Sequence, residues 1–273
     1  MSSPSLFDLS GRVIVVTGAT GVLAGSAARY LAAQGAHVVF LGRDQSKLDR
    51  ALDETRTLPG KTAGFSCDVL DVAGLEKVRD EVFQRFGRID ALVNAAGGNQ
   101  PGATITPAQT FLDLEVSAFR QVMGLNLDGT VIPSLVFAKT FSAQKRGVIV
   151  NFSSMASTQA ITRVVGYSSA KAAVDNFTKW LAVELAAKFG AGLRVNAVAP
   201  GFFVADQNRR LLLNEDGTPT PRGQTVLAKT PFKRFGHADE LHGALHYLLS
   251  DASAFVTGTV LAVDGGFSCF SGV

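Results

Sequence analysis

Short runs of aliphatic and β-branched residues alternate with longer stretches of helical periodicity from one end of the chain to the other. Residues 13–17, 37–41, 62–67, 91–94, 148–152, 194–199 and 259–263 read as strands. Residues 24–34, 44–56, 72–86, 117–145, 167–188 and 239–249 read as helices. The strands are continuous apolar runs, not polar–apolar alternations, as expected where helices cover both faces of a sheet. Strand–helix alternation with right-handed crossovers predicts an α/β protein with a doubly wound parallel sheet. No linker or internal repeat divides it, so the pattern predicts a single domain over residues 1–273.

Segment 203–236 breaks this rhythm. It holds no clean strand, and its middle is rich in turn formers: Asn214, Asp216, Gly217, Pro219 and Pro221. Its basic residues are Arg209, Arg210, Arg222, Lys229, Lys233 and Arg234, against Asp206, Glu215 and Asp216. That balance of 6 − 3 = +3 equals the balance of the whole chain, 26 − 23 = +3, so the remainder is neutral. A loop of this length is usually functional or disordered. Two readings stay open: a substrate-covering lid with a bias toward anions, or a solvated surface excursion.

Composition narrows the class. With 47% apolar and only 18% charged residues, the chain can bury a large core and still leave apolar surface for subunit contacts. The small net charge and the lack of a dense Lys/Arg run exclude nucleic acid as a partner. No apolar run reaches membrane-spanning length, and residues 1–10 read as a plain N-terminal extension without a leader pattern, so a cytoplasmic location is expected. Cys67 and Cys269 lie far apart, with neither metal-ligand nor disulfide spacing, and read as reduced thiols. No metal site is expected.

The first strand runs into Thr17-Gly18-Ala19-Thr20-Gly21-Val22-Leu23-Ala24-Gly25 and then a helix. Glycines in such a turn let the backbone approach a pyrophosphate held on amides at a helix N-terminus. Gly18, Thr20, Gly21, Val22 and Leu23 are therefore candidate cofactor contacts. At the end of the second strand stands Leu41-Gly42-Arg43-Asp44. An acidic residue there would bind a ribose 2′-hydroxyl, whereas Gly42 and Arg43 suit a 2′-phosphate. This favours NADP(H), with NAD(H) as the alternative; the adjacent Asp44 pulls the other way.

Tyr167 and Lys171 stand four residues apart in a helix, on one face. An ammonium beside a phenol is expected to lower the phenol's pKa from about 10 and fit it for proton transfer. Ser154 ends Val150-Asn151-Phe152-Ser153-Ser154 at the mouth of the fifth strand, thirteen residues before Tyr167.

Together these features resemble the short-chain dehydrogenase/reductase family, in order, from Gly11 to Gly266. Its turn has the form Thr-Gly-x-x-x-Gly-x-Gly; here Val22 and Ala24 replace the later glycines, while Gly21 and Gly25 are displaced by one. The resemblance implies a Rossmann-type fold, an NAD(P) cofactor and reversible hydride transfer between a carbonyl and an alcohol. It implies catalytic roles for Asn126, Ser154, Tyr167 and Lys171, with Tyr167 and Lys171 also touching the cofactor. Asp68 and Val69 resemble the adenine-contacting pair. Asn94, Ala95 and Ala96 resemble the element that supports the sheet beside the adenosine, and Pro200 and Gly201 the turn beside the nicotinamide. Alone, the Asp68 and Asn94 elements would read better as an Asp helix cap and a Gly turn; their order and placement at strand ends favour the cofactor.

Ala96-Gly97-Gly98-Asn99, Thr162-Arg163, Gln207-Asn208-Arg209 and the ending from Asp264 to Val273 resemble a subgroup of D-mannonate oxidoreductases (fructuronate reductases). That implies a sugar acid as small-molecule substrate, with a homotetramer as assembly. A sugar acid needs a cation for its carboxylate and polar groups for its hydroxyls. Asn99, Ser154, Arg163, Gln207, Asn208 and Arg209 are the candidate substrate contacts, Arg163 or Arg209 taking the carboxylate. The competing readings are a reductase of a neutral polyol, ketose or 3-ketoacyl thioester, and a non-catalytic dinucleotide sensor.

Overall fold

Alternate side chains of the first strand enter two different cores. A computed structural model describes residues 5–205 and 208–272. In β1 (Val13–Thr17), Val13 and Val15 pack on one side of the sheet, and Ile14 and Val16 on the other. Successive strand residues point to opposite faces, so an apolar run is what two covered faces demand. The first core is closed by α3 (Val72–Phe86), α4 (Val116–Gln144) and α5 (Val165–Phe189), through Leu75, Phe137, Phe141 and Leu185. The second is closed by α1 (Val22–Ala33), α2 (Gln45–Asp53) and α8 (His242–Leu249), through Leu31, Leu48, Leu245 and Leu248. Each such side chain contributes about 1.5–3 kcal/mol of burial.

The remaining strands are β2 (His37–Gly42), β3 (Thr62–Ser66), β4 (Ala91–Asn94), β5 (Gly147–Phe152), β6 (Leu193–Pro200) and β7 (Val260–Val263). All seven run parallel in the order β3-β2-β1-β4-β5-β6-β7. One Rossmann-type sheet thus carries both cores in a single domain. The order reverses between β1 and β4, where connections leave in opposite directions and open a crevice at the carboxyl ends of the strands.

Three segments depart from the sequence reading. Segment 203–236 is not a bare loop: it contains α6 (Arg209–Leu212) and α7 (Pro221–Lys229), with bridges joining Leu213 to Pro219 and Phe203 to Gly236. Thr220 caps α7 by accepting from Gly223 N at 3.0 Å, ahead of Pro221 in the first turn. That Thr-Pro start is a helix signal that the turn formers around it concealed. Residues 5–10 are not a plain extension either. Leu9 is buried, Leu6 O accepts from Ala252 N, and Phe7 O meets His246 Nε2 at 2.6 Å. Finally, α5 begins at Val165, so Tyr167 lies inside its first turn.

Among the described residues no helix is long and apolar enough to cross a membrane, and no three His, Cys, Asp or Glu side chains gather as metal ligands. Cys67 is buried and Cys269 exposed, both as free thiols.

Candidate active site

The turn after β1 and the loop after β4 touch through their backbones. Gly18 has φ +66°, and a Cβ there would lie 2.9 Å from Ala96 N and Cα. Thr17 Oγ1 accepts from Ala95 N at 3.0 Å and Ala96 N at 3.1 Å, fastening the two loops side by side. A Cβ on Gly25 would lie 2.9 Å from Ala19 O, so this displaced glycine lets α1 pack closely under the turn. Gly21 is the N-cap of α1 and offers no side-chain acceptor. The first-turn amides, including those of Val22 and Leu23, therefore lack an intrahelical or capping partner. Gly18, Thr20, Gly21, Val22 and Leu23 line a cavity of about 780 Å³ at the sheet's switch point. An uncapped helix N-terminus opening into such a cavity suits a pyrophosphate, so the residues present fit a dinucleotide.

Gly42, Arg43, Asp68, Val69, Ala95 and Ala96 line the same cavity. A Cβ at Gly42 would sit 3.1 Å from the Thr20 side chain, so a larger residue there would crowd the turn. Asp44 is committed to helix capping: it accepts from Lys47 N at 3.1 Å and Ser46 Oγ at 2.7 Å, bonds that hold its carboxyl below the usual range. Arg43 is 72% exposed and reaches Asp68 at 3.9 Å, a pair too open to hold it strongly. Asn94 does not line the cavity. Its Nδ2 donates to Ser134 Oγ and Asn151 Oδ1, both at 2.9 Å, bracing β4 against β5 and α4. Pro200 and Gly201 do line it. A Cβ on Gly201 would lie 2.7 Å from Asp264 Cα, so β6 and the end of β7 meet closely there.

Ser154, Tyr167 and Lys171 converge on this cavity from β5 and α5. Lys171 is buried, and its Nζ donates to Phe152 O at 2.7 Å while lying 5.6 Å from the Tyr167 ring centre. Burial lowers its pKa to about 8, opposed by attraction to Asp175. Burial raises the Tyr167 phenol above its ordinary value, and a hydrogen bond with Ser154 only partly opposes this. The phenol is thus not lowered as its spacing from Lys171 led us to expect. The ammonium is spent on a carbonyl, and desolvation of the phenolate outweighs its influence. Tyr167 stays a neutral acid.

Asp175 is the residue that the spacing argument missed. It stands one turn beyond Lys171, buried, and accepts a hydrogen bond from the Ser153 hydroxyl. The run Tyr167, Lys171, Asp175 at intervals of four was its signal. Asn126 is fully buried and lies behind the cavity wall. Its Nδ2 donates to Gly98 O at 2.7 Å and Val122 O at 2.8 Å, and its Oδ1 accepts from Gly98 N at 3.0 Å. It holds the loop after β4 in place: a Cβ on Gly97 would lie 2.6 Å from Asn126 Oδ1 and 3.5 Å from Lys171 Nζ.

On the other side of the cavity, Asn99 donates from Nδ2 to Thr104 Oγ1 at 2.7 Å, while its buried Oδ1 has no partner among the described residues. Asn208 lines the cavity, but its side chain is engaged, donating to Phe203 O and accepting from Ala205 N, both at 2.8 Å. Neither Arg163 nor Arg209 lines the cavity, whereas Arg210 and Arg222 do. Arg209 is exposed. Arg163 has φ +78°, and its carbonyl accepts from Ile105 N at 3.0 Å. Gln207 lies outside the described residues.

Comparison with known proteins follows the same lines. A family model described as enoyl-(acyl carrier protein) reductase matches residues 18–268. The chain is 41% identical to the uncharacterized oxidoreductase UxuB of Bacillus subtilis (strain 168), over 97% of this chain and 98% of that one. A solved structure from Haemophilus influenza, provisionally named a D-mannonate oxidoreductase and with NAD bound, superposes with a TM-score of 0.90. It is 40% identical over 97% of this chain and 98% of that one. A second, from Beutenbergia cavernae, is provisionally named an NAD(P)-dependent gluconate 5-dehydrogenase and has NADP bound at low occupancy. It superposes with a TM-score of 0.85 at 32% identity, over 97% of this chain and 100% of that one.

Proposed function

The chain belongs to the short-chain dehydrogenase/reductase family, and from that premise we propose that it reduces the ketone of a sugar acid of the D-fructuronate type. It is an NAD(P)-dependent oxidoreductase. The observation that carries the finer reading is the charge of the cavity beyond the dinucleotide contacts: Arg210 and Arg222 line it there, and among the described residues the one carboxylate in the lining is Asp68, beside Val69 and Arg43. A cationic wall with polar neighbours suits an anionic polyhydroxy substrate better than a neutral polyol or an acyl chain.

The chemistry that a bound nicotinamide dinucleotide supplies is the hydride. The residues of the chain do the rest. Tyr167 keeps its proton because burial raises its pKa, so it is loaded to protonate the oxygen of a ketone as negative charge develops there. Ser154, hydrogen-bonded to that phenol, stabilises the same oxygen. Lys171 supplies positive charge close to the phenol and would hold the ribose of a bound dinucleotide; Asp175 and the Phe152 carbonyl fix its position. Asn126 keeps the loop after β4 at its distance from Lys171. Reduction is the direction for which the phenol is already in the required protonation state. Arg43 and Gly42 favour NADP(H) over NAD(H). Segment 203–236 serves as a lid: it places α6 and α7 along the cavity, which Leu211, Leu212 and Arg222 line.

The test is absorbance at 340 nm with purified protein, offering D-fructuronate with NADPH or NADH, and D-mannonate with the oxidised forms. Saturable turnover well above that on D-fructose and D-mannitol is the expected result. Equal or better turnover of the neutral compounds would overturn the sugar-acid reading.

A further inference from the structure

Arg222 is the one lining guanidinium that the fold holds in place. It lies on the second position of α7 and is half-buried. Its Nη1 donates to Thr162 Oγ1 at 3.1 Å and its Nη2 to Thr162 O at 3.2 Å. Both acceptors are neutral, and among the described residues Arg222 has no acidic partner. Burial lowers its pKa, and the like charge of Arg163 adds to this. Arg163 itself is held at φ +78°, in the left-handed region that non-glycine residues rarely adopt. It is anchored there by Ile105 N bonding its carbonyl at 3.0 Å.

Arg222 is thus a partly desolvated cation that feels the like charge of Arg163 and that no described carboxylate offsets. Backbone strain like that at Arg163 clusters at active sites and ligand clamps. Thr162 precedes Tyr167 by five residues, and Ile161 and Val164, on either side of the Arg222 contact, line the cavity. The positive charge is thus tied by hydrogen bonds to the segment that leads into the proton donor. By contrast, Arg210 is exposed, and no hydrogen bond or ion pair to another described residue fixes it to the cavity wall. On the facing loop, the buried Asn99 Oδ1 is an acceptor with no donor among the described residues.

We propose that Arg222, backed by the charge of Arg163, binds the carboxylate of the substrate, while Asn99 Oδ1 accepts from one of its hydroxyl groups. This rests on the sugar-acid reading above and specifies its anchor.

The test compares D-fructuronate with D-fructose, which carries a hydroxymethyl group in place of the carboxylate, in the wild type and in Arg222→Gln, Arg222→Lys and Arg163→Gln. Lys229→Gln, at the exposed far end of α7, is the charge control. Loss of a charge-assisted contact predicts a rise of about ten- to a hundredfold in the KM for D-fructuronate in Arg222→Gln. The change in kcat should be smaller, and the dissociation constant for NADPH should stay within twofold. Arg222→Lys should recover part of the loss, and Arg163→Gln should show a lesser rise. A wild type that uses D-fructuronate while Arg222→Gln leaves its KM within twofold overturns the anchor and spares the sugar-acid reading. A drop in NADPH affinity in step with the KM, without recovery in Arg222→Lys, also overturns it, since that marks a structural role. A wild type that prefers D-fructose overturns both.

Discussion

Asp175 stands one turn beyond Lys171 on α5, and its attraction opposes the burial that drives the Lys171 ammonium toward neutrality. The balance leaves Lys171 titrating at about 8, within the working range of a protein. Below that pH the lysine carries its charge; above it the charge is lost. The kcat/KM for the dinucleotide, which reports the free enzyme, should therefore fall as pH rises through about 8. Asp175→Asn removes the opposing attraction and should shift that fall to lower pH. An unmoved profile in Asp175→Asn would show that Lys171 does not set it.

Tyr167→Phe removes the proton and keeps the ring. Turnover should drop by about a hundred- to ten-thousandfold, while the dissociation constant for NADPH, followed by fluorescence, changes little. Near-normal turnover in this variant would remove Tyr167 from the proposed chemistry.

Gly18 cannot be replaced without strain, because its φ is +66° and Ala96 lies where a Cβ would go. Gly18→Val should cost about 2 kcal/mol or more and lower Tm by about 4–8 °C. It should also weaken dinucleotide binding, since the turn moves away from the loop after β4. Calorimetry with and without NADPH separates the two effects.

Arg43 decides between the two cofactors if the end of β2 reads as it does by chemistry. Arg43→Ala should raise the KM for NADPH about tenfold, the loss of one charged contact, and leave that for NADH nearly unchanged. Equal effects on both would mean that Arg43 makes no contact with a 2′-phosphate.

The strands, the sheet class and the order of the helices were legible because burial on both faces writes itself as apolar runs. The cluster of Ser154, Tyr167 and Lys171 was legible as spacing within and between elements. The direction of the Tyr167 shift was not: it depends on how deeply the phenol is buried and on the Phe152 carbonyl that takes the ammonium, and neither is visible in a four-residue interval. In the sequence Arg222 is one of six basic residues of 203–236, with nothing to mark it as a contact. Its place depends on α7, whose Thr220-Pro221 start was read as part of a turn. Asn99 and Arg163 were singled out by sequence alone, and the structure sets Arg163 beside the cavity wall, not in it.

The division of β1 between two cores sets a parity that reaches the cofactor turn. Thr17 follows Val13 and Val15 by even steps, so its hydroxyl reaches Ala95 and Ala96 only while that count is kept. Deleting or inserting one residue in β1 would exchange the side chains of the two cores and turn the Thr17 hydroxyl away from the neighbouring loop in the same stroke. Length variation among sequences of this fold should therefore be free in the connections that follow the strands and forbidden within β1, where core and cofactor turn are counted on one ruler.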